Sequence, residues 1–172
     1  MNNAFKLSAA LILLLFTVST NGQSMKFGHI DLQAVIQALP ELKTAEAEMN
    51  TFQKELEEVL AEMQQNYQTS LQELEQLTED ASEVKRNAAI SELQNLQQRI
   101  QAYQQNAQQQ IQQKYQELLN PLYEKSTAAV EEVARELDLL YVFDTGQNVL
   151  LYKSNQSVDL LPLVKEKLGI GQ

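Results

Sequence analysis

The stretch ELKTAEAEMNTFQKELEEVLAEMQQNYQTSLQELEQLTED (residues 41–80) is followed by ASEVKRNAAISELQNLQQRIQAYQQNAQQQIQQKYQELLN (residues 81–120), and neither contains a glycine or a proline. Apolar residues recur in both at alternating spacings of three and four, which is the seam of a coiled coil. The first seam consists of Leu42, Ala45, Met49, Phe52, Leu56, Val59 and Met63, and the second of Leu93, Leu96, Ile100, Tyr103 and Ala107. Both seams then slip to consecutive spacings of four, which locally unwinds a coiled coil. The stretch therefore predicts two long amphipathic helices.

The two helices are predicted to pair with each other as an antiparallel hairpin. The apolar rhythm lapses at residues 78–83, where Asp80 followed by Glu83 resembles a capping box that begins a helix. Pro40 and Pro121 bracket the stretch, and their midpoint falls within this lapse. Folding there gives two arms of equal length, 41–80 and 81–120. One continuous helix is the alternative, because no glycine or proline forces a break.

The two prolines would then lie side by side at the base of the arm. Asn120 is a good cap, so a new helix can begin with Pro121 in its first turn. We interpret Pro40 and Pro121 as a hinge between the arm and a body. An ordinary helix boundary without motion is an equally supported interpretation.

The charge of the arms also favours pairing. Residues 41–80 contain 11 acidic and 2 basic residues, whereas residues 81–120 contain 3 acidic and 4 basic residues. Two acidic arms would repel each other, but the second arm is close to neutral and rich in glutamine. Because apolar seam positions persist through the glutamine run, the run indicates a solvated helix face rather than prion-like disorder.

Residues 23–40, on the N-terminal side of the arm, predict a strand and a short helix. Lys26–Asp31 alternates apolar and polar residues, as a half-buried strand does. Asp31 can then cap a helix over Leu32–Leu39, whose apolar residues share one face.

Residues 121–172, on the C-terminal side, predict a helix, a β-hairpin and a last helix. Leu139–Phe143 and Val149–Tyr152 are strand-forming runs separated by turn residues, so they are expected to pair with each other. The last helix is expected over Leu163–Leu168, with Gly169 ending it. The predicted fold class is therefore α+β, with a long helical-hairpin arm on a small β body.

The predicted body is incomplete in a single chain. Three apolar strands leave two open edges, and a core built from so few residues is marginal by itself. Oligomerisation removes both difficulties, and three copies would supply enough strands to close a β-barrel, although the residues themselves do not fix the number three. The side chains expected to build this oligomeric body are Phe27, Ile30, Leu140, Val142, Phe143, Val149 and Leu151.

Residues 1–22 have the layout of a secretory signal peptide. Lys6 precedes the apolar run Leu7–Val18, and small polar residues lead to Gly22. We therefore expect export and cleavage near Gly22, with an uncleaved N-terminal anchor as the alternative. The chain contains no cysteine, so its stability has to come from packing or from association rather than from disulfides.

The composition argues against several classes of function. A net charge of −10 opposes binding to nucleic acid and strong binding to anionic membranes. His29 is the only histidine, and the chain has no thiol, no Gly-rich phosphate loop and no metal-ligand spacing. The many carboxylates follow helix faces in the manner of solvated charges. We therefore expect no catalytic residue, no cofactor site and no metal site.

The chain resembles the Skp/OmpH family of periplasmic chaperones over essentially all of its mature length. The resemblance is carried by Phe27–Asp31, Ala38–Glu41, the Gln-rich hairpin, Leu140–Asp144 and Ser157–Gly169. No single stretch is specific, but their order and spacing around a long hairpin behind a signal peptide are. The glutamine-rich style looks like members from the Bacteroidetes.

The resemblance implies a homotrimer with a β-barrel body and three long helical arms in the periplasm. Such a trimer would hold unfolded outer-membrane proteins between its arms without ATP, and the inner faces of residues 41–120 would contact the client. The chain departs from the best-known members in having an acidic rather than a basic hairpin, so electrostatic capture and lipopolysaccharide binding do not carry over. A structural coiled-coil or adaptor protein of the envelope is the main alternative. A cytosolic prefoldin-like chaperone is opposed by the signal peptide.

Overall fold

The computed structural model describes residues 25–77, 81–147 and 150–170. In chain order these form β1 (Phe27–Ile30), α1 (Leu32–Ala38), α2 (Pro40–Glu75), α3 (Glu83–Glu136), β2 (Tyr141–Asp144), β3 (Val158–Asp159) and α4 (Leu161–Lys167). The predicted signal peptide 1–22, Asp80 and Val149 lie outside the described residues. Among the described residues, no helix combines the length and the apolarity that crossing a bilayer requires.

Two long helices, α2 with 36 residues and α3 with 54, make up most of the chain. They end and begin separately on either side of residues 76–82, so the alternative of one continuous helix is wrong. A rise of ~1.5 Å per residue gives α2 a length of ~54 Å. Leu93 and Leu96 of α3 are buried in the seam, and the hydroxyl of Tyr103 donates to the carbonyl of Leu56 in α2 at 3.3 Å. The helices therefore pack against each other along their apolar stripes.

The ends of α3 differ from the prediction in two ways. Its N-cap is Ser82, whose hydroxyl accepts from the backbone N–H of Lys85. The prediction that Asp80 and Glu83 form the capping box is therefore wrong. The helix also runs through Pro121 instead of restarting there. Proline removes one backbone hydrogen bond, but Leu118 and Leu122 on either side of it pack into the same core. That shared packing holds the helix in line across the proline.

The sheet has three strands in the order β2-β1-β3, and both pairings are parallel. Phe27 of β1 pairs with Tyr141 of β2, and His29 pairs with Asp159 of β3. The predicted β-hairpin is therefore wrong. Residues 150–152 form no strand, and the third strand is Val158–Asp159.

The central strand β1 explains why the sheet is parallel and contains no hairpin. β1 offers two edges; β2 occupies one of them, and the other is filled by a strand that runs in the same direction. A parallel strand requires a long return connection, which residues 145–157 provide. A hairpin partner at 149–152 would instead have added to the outer edge of β2.

The core consists of two clusters joined by α1. One lies beneath the sheet and contains Ile30, Val35, Ala129, Val133, Leu160 and Val164. The other lies at the base of the arm and contains Ile36, Leu39, Ala45 and Leu122. Asp31 caps α1 as predicted, since its carboxylate accepts from the backbone N–H of Ala34 at 3.0 Å. Because Val35 belongs to one cluster and Ile36 to the other, this short helix joins the body to the arm.

Ser126 lies between the two clusters along α3, and its hydroxyl oxygen is fully buried without a hydrogen-bond partner among the described residues. An unpaired buried polar group costs ~1–3 kcal/mol. The Ser126→Ala variant is therefore expected to raise the free energy of unfolding by ~1 kcal/mol, measured by urea denaturation at fixed protein concentration. The neighbouring Thr127→Ala variant, at an exposed position, is the control and should change stability little. A loss of stability in Ser126→Ala would contradict the prediction.

Candidate functional site

One face of the sheet carries three aromatic side chains in contact with one another. Strand alternation places Phe27, Tyr141 and Phe143 on the same face. Their ring centroids are 6.4 Å apart for Phe27 and Tyr141, 6.5 Å for Phe27 and Phe143, and 6.3 Å for Tyr141 and Phe143. The three residues are 37%, 61% and 44% exposed in the same order. Contiguous exposed aromatic patches are typical of interaction surfaces, and we call this one the aromatic face.

The opposite face of the sheet is closed by the body. Gly28 and Ile30 are buried there, and Val142 packs against the cluster beneath the sheet. A Cβ atom on Gly28 would lie 2.5 Å from Cδ1 of Leu160 and 2.8 Å from Cδ1 of Leu139. Glycine thus lets the sheet approach its covering side chains closely.

Both edges of the sheet are open as well. In the described part of the chain β2 and β3 each pair with β1 alone, so their outer edges have no strand partner. Unpaired strand edges are a template for pairing with another chain. The aromatic face and the two strand edges without a partner are therefore the candidate surfaces for association with another chain.

The connection between β2 and β3 passes beside His29, which is buried on the aromatic side. Nζ of Lys153 lies 2.9 Å from Nε2 of His29, and Oγ of Ser157 lies 2.9 Å from Nδ1. An ammonium group only donates, so Nε2 accepts and Nδ1 donates to the serine hydroxyl. This polarity is opposite to the one in which a histidine activates a serine nucleophile. The cluster therefore anchors the connection, and it leaves Leu151 98% exposed and Tyr152 81% exposed.

A groove of about 340 Å³ lies on one side of the hairpin near its base. Its lining residues are Ala45, Glu46, Met49, Asn50 and Gln53 from α2 and Tyr115, Leu118 and Leu119 from α3. We call it the base groove. The apolar spacing did not predict this groove, although the slip of the second seam towards Tyr115 is the signal that could have indicated a gap in the packing.

The sequence of the chain matches a known protein family. The family model described as Outer membrane protein (OmpH-like) matches residues 26–168, from the start of β1 to the end of α4. The chain belongs to the OmpH-like family. No curated protein matches it in sequence.

OmpH-like proteins are periplasmic chaperones rather than enzymes, and the family implies oligomerisation and binding of outer-membrane proteins in general. Membership therefore gives this chain a chaperone kind of role in the handling of outer-membrane proteins. The suspected resemblance to the Skp/OmpH family is confirmed.

The residues predicted to build an oligomeric body fall in several places in this OmpH-like chain. Phe27 and Phe143 lie on the aromatic face, together with Tyr141, which the prediction omitted although its alternation with Phe143 indicates the same side. Ile30 and Val142 lie on the opposite, packed face. Leu140, directly before β2, and Leu151, in the connection between β2 and β3, are both exposed. Val149 lies outside the described residues.

The two predicted hinge prolines lie on different kinds of backbone. Pro40 is in the first turn of α2, directly after the buried Leu39, whereas Pro121 is inside α3. One residue beyond Pro40, Glu41 accepts a hydrogen bond from the ammonium group of Lys125, one turn beyond Pro121. This ion pair ties the two helices together at the base of the arm. The role of Pro40 and Pro121 as a hinge stays a prediction.

The Glu41–Lys125 ion pair makes the stability of the arm base dependent on pH. The hydrogen bond from Lys125 lowers the pKa of the Glu41 carboxyl below its ordinary value. A lowered folded-state pKa contributes stability above the ordinary pKa, and the contribution is lost as the pH falls through the lowered value. We expect Lys125→Gln to lower the melting temperature at neutral pH and to have no effect once Glu41 is protonated in acid. A difference that persists unchanged into acid would contradict this assignment.

Proposed function

We propose that this chain is an ATP-independent periplasmic holdase that works as a homotrimer. It binds unfolded outer-membrane β-barrel proteins in a cavity between helical arms and prevents their aggregation. The observation that carries the proposal is a sheet with an aromatic face and two edges without a strand partner, on a body that bears a long helical hairpin. Membership in the OmpH-like family supports it.

The open edges of the sheet support the proposed assembly. A cyclic arrangement brings unlike edges together, so β2 of one copy can pair with β3 of the next. Three copies arranged in this way close a ring of strands, and the aromatic faces pack against one another inside it. The arms then extend from one body and enclose a common cavity.

Capture of a client requires many weak contacts that tolerate different sequences. The exposed apolar side chains of the arms lie mainly on the near-neutral α3, which carries Val84, Ile90 and Tyr115, while α2 contributes Val59. Weak contacts spread along an arm of this length add up through avidity, and release needs no nucleotide. The inner faces of residues 41–120 are the surfaces proposed to contact the client.

The experiment that tests the proposal is light scattering coupled to size exclusion on the mature protein, with and without a urea-denatured porin. We expect three times the mass of one chain, an elongated particle, and an increase in mass when the porin is added. The mass of one chain for the unmutated protein at micromolar concentration would contradict the proposal. The alternative of a structural coiled-coil or adaptor protein predicts that the turbidity of the diluted porin is unchanged by the protein.

The charge of the hairpin predicts how capture responds to salt. The arms are acidic overall, in contrast to the basic arms of the best-known family members, so little of the affinity should come from attraction to acidic clients. We expect the dissociation constant for an unfolded porin to change little as salt is raised from low to physiological concentration. A steep loss of affinity with salt would contradict this prediction, because it is the behaviour of a basic binding surface.

A further inference from the structure

We infer that the base groove is a binding subsite for an apolar client side chain that is followed or preceded by a lysine or arginine. The inference rests on the proposed holdase function and adds to it a sequence preference within the client. It is carried by the shape of the groove, by the distribution of charge on the two flanks of the hairpin, and by free amide groups beside the groove.

The shape of the groove suits one large side chain. Ala45 is buried at its floor, and Leu118 and Leu119 are half-buried, so the bottom is apolar. Tyr115 forms a wall and is 57% exposed. A volume of about 340 Å³ is at the lower end of the range of small-molecule sites, which is ~300–1,000 Å³. One aromatic or large aliphatic side chain with part of its backbone fits that space.

The two flanks of the hairpin differ in charge pairing. Glu41 and Glu48 are seven residues apart on α2 and form ion pairs with Lys125 and Lys114 of α3. At 100° per residue they lie on one side of the seam, whereas Glu46 lies on the other side, in the lining of the groove. Among the described residues Glu46 has no ion pair. The lysines thus neutralise the flank away from the groove and leave a carboxylate free beside it.

Polar groups beside the groove can bind an extended backbone. Asn50 and Gln53 line it one and two turns beyond Glu46, and within the described part of the chain neither side-chain amide makes a hydrogen bond. Each amide can both donate and accept, which matches the unpaired N–H and C=O groups of an unfolded chain. An apolar anchor, a free carboxylate and two free amides therefore select an extended segment with one large apolar residue and a neighbouring cation.

The test is fluorescence anisotropy with short labelled peptides that contain one phenylalanine next to either lysine or glutamate, in an otherwise Gly/Ser sequence. The phenylalanine–lysine peptide is expected to bind the mature protein more tightly than the phenylalanine–glutamate peptide. Glu46→Gln should weaken binding of the lysine peptide by about two- to five-fold, the range of an exposed ion pair. Tyr115→Ala should weaken binding of both peptides, by about five-fold or more, because an aromatic wall of the pocket is lost.

Matched controls separate the groove from the rest of the arm. Glu62→Gln removes an exposed carboxylate of α2 that lies outside the groove. Tyr123→Ala truncates another exposed tyrosine of α3, which lies outside both the groove and the client-contacting residues 41–120. Both are expected to bind the peptides as the parent does. Equal binding of the two peptides by the parent protein, or equal losses in Glu46→Gln and Glu62→Gln, would overturn the inference.

Two further outcomes distinguish this inference from the proposed function. If Tyr115→Ala changes the mass of the oligomer and leaves peptide affinity unchanged, the groove is a contact between copies of the chain and the inference is wrong. If the parent protein suppresses porin aggregation but does not discriminate between the peptides, the holdase function stands and the subsite does not. A parent protein that leaves porin aggregation unchanged would remove the holdase function, whatever the peptides show.

Discussion

Phe143→Asp is expected to convert the oligomer into single chains and to abolish protection of a denatured porin. The side chain is part of the aromatic face, where it contacts both Phe27 and Tyr141. In the proposed trimer this position is buried, and an unpaired carboxylate there is costly. Loss of an aromatic hot spot costs ~2 kcal/mol or more, which is about 30-fold in each association constant. Light scattering at micromolar concentration should therefore show the mass of one chain.

The control for this variant is Val84→Asp. Val84 is 78% exposed near the beginning of α3, far along the chain from the sheet, so the same change in charge should leave the mass unaltered. The single chain of Phe143→Asp should keep its helical circular dichroism, because Phe143 is 44% exposed and lies outside both core clusters. An unchanged mass in Phe143→Asp would show that the aromatic face does not hold the copies together.

Leu160→Ala is expected to cause one of the largest losses of stability of any single truncation in the body. Leu160 is fully buried between β3 and α4, and its Cδ1 atom is the group that a Cβ atom on Gly28 would meet. Replacing a buried leucine with alanine removes apolar contacts and leaves a cavity, at a cost of ~2–5 kcal/mol. Because a domain of this kind has a free energy of unfolding of only ~5–15 kcal/mol, the body should be partly unfolded at modest urea concentrations. Urea denaturation followed by circular dichroism is the measurement.

Association contributes to apparent stability, so the effect of Leu160→Ala is best measured in a single chain. Comparing Phe143→Asp with the double variant at one protein concentration isolates the contribution of the core. Leu151→Ala in the same background is the matched control, because it truncates a leucine that is 98% exposed. A cost below that of Leu151→Ala would contradict the packing seen around Leu160.

The sequence predicted the helical elements well because their signal is local. The apolar spacing of residues 41–120 indicates two helices, and the lapse at residues 78–83 falls between the observed ends of α2 at Glu75 and α3 at Glu83. Asp31 as the cap of α1 could likewise be read from adjacent residues. In each case the side chains that decide the structure lie within a few residues of one another, so one short window contains the whole interaction.

The sequence predicted the sheet poorly because strand pairing is not local. The run at 149–152 has strong strand propensity and a turn before it, yet its described residues form no strand. Val158–Asp159 is much shorter and pairs with β1 instead. Propensity indicates which residues can form a strand, whereas the partner is decided by which edge remains free once β2 has paired.

By itself, then, the sequence determined the long paired helices, the difference in charge between them, the cap of α1 and the presence of a small α+β body. Only the tertiary structure decided that β1 is the central strand, that α3 continues through Pro121, that three aromatic rings share the open face and that a groove lies beside Glu46. The physical reason is that helix periodicity is fixed by residues three and four apart. Edges, faces and gaps are fixed by segments far apart in the chain, which meet only after folding; β1 and β2, for example, are more than a hundred residues apart.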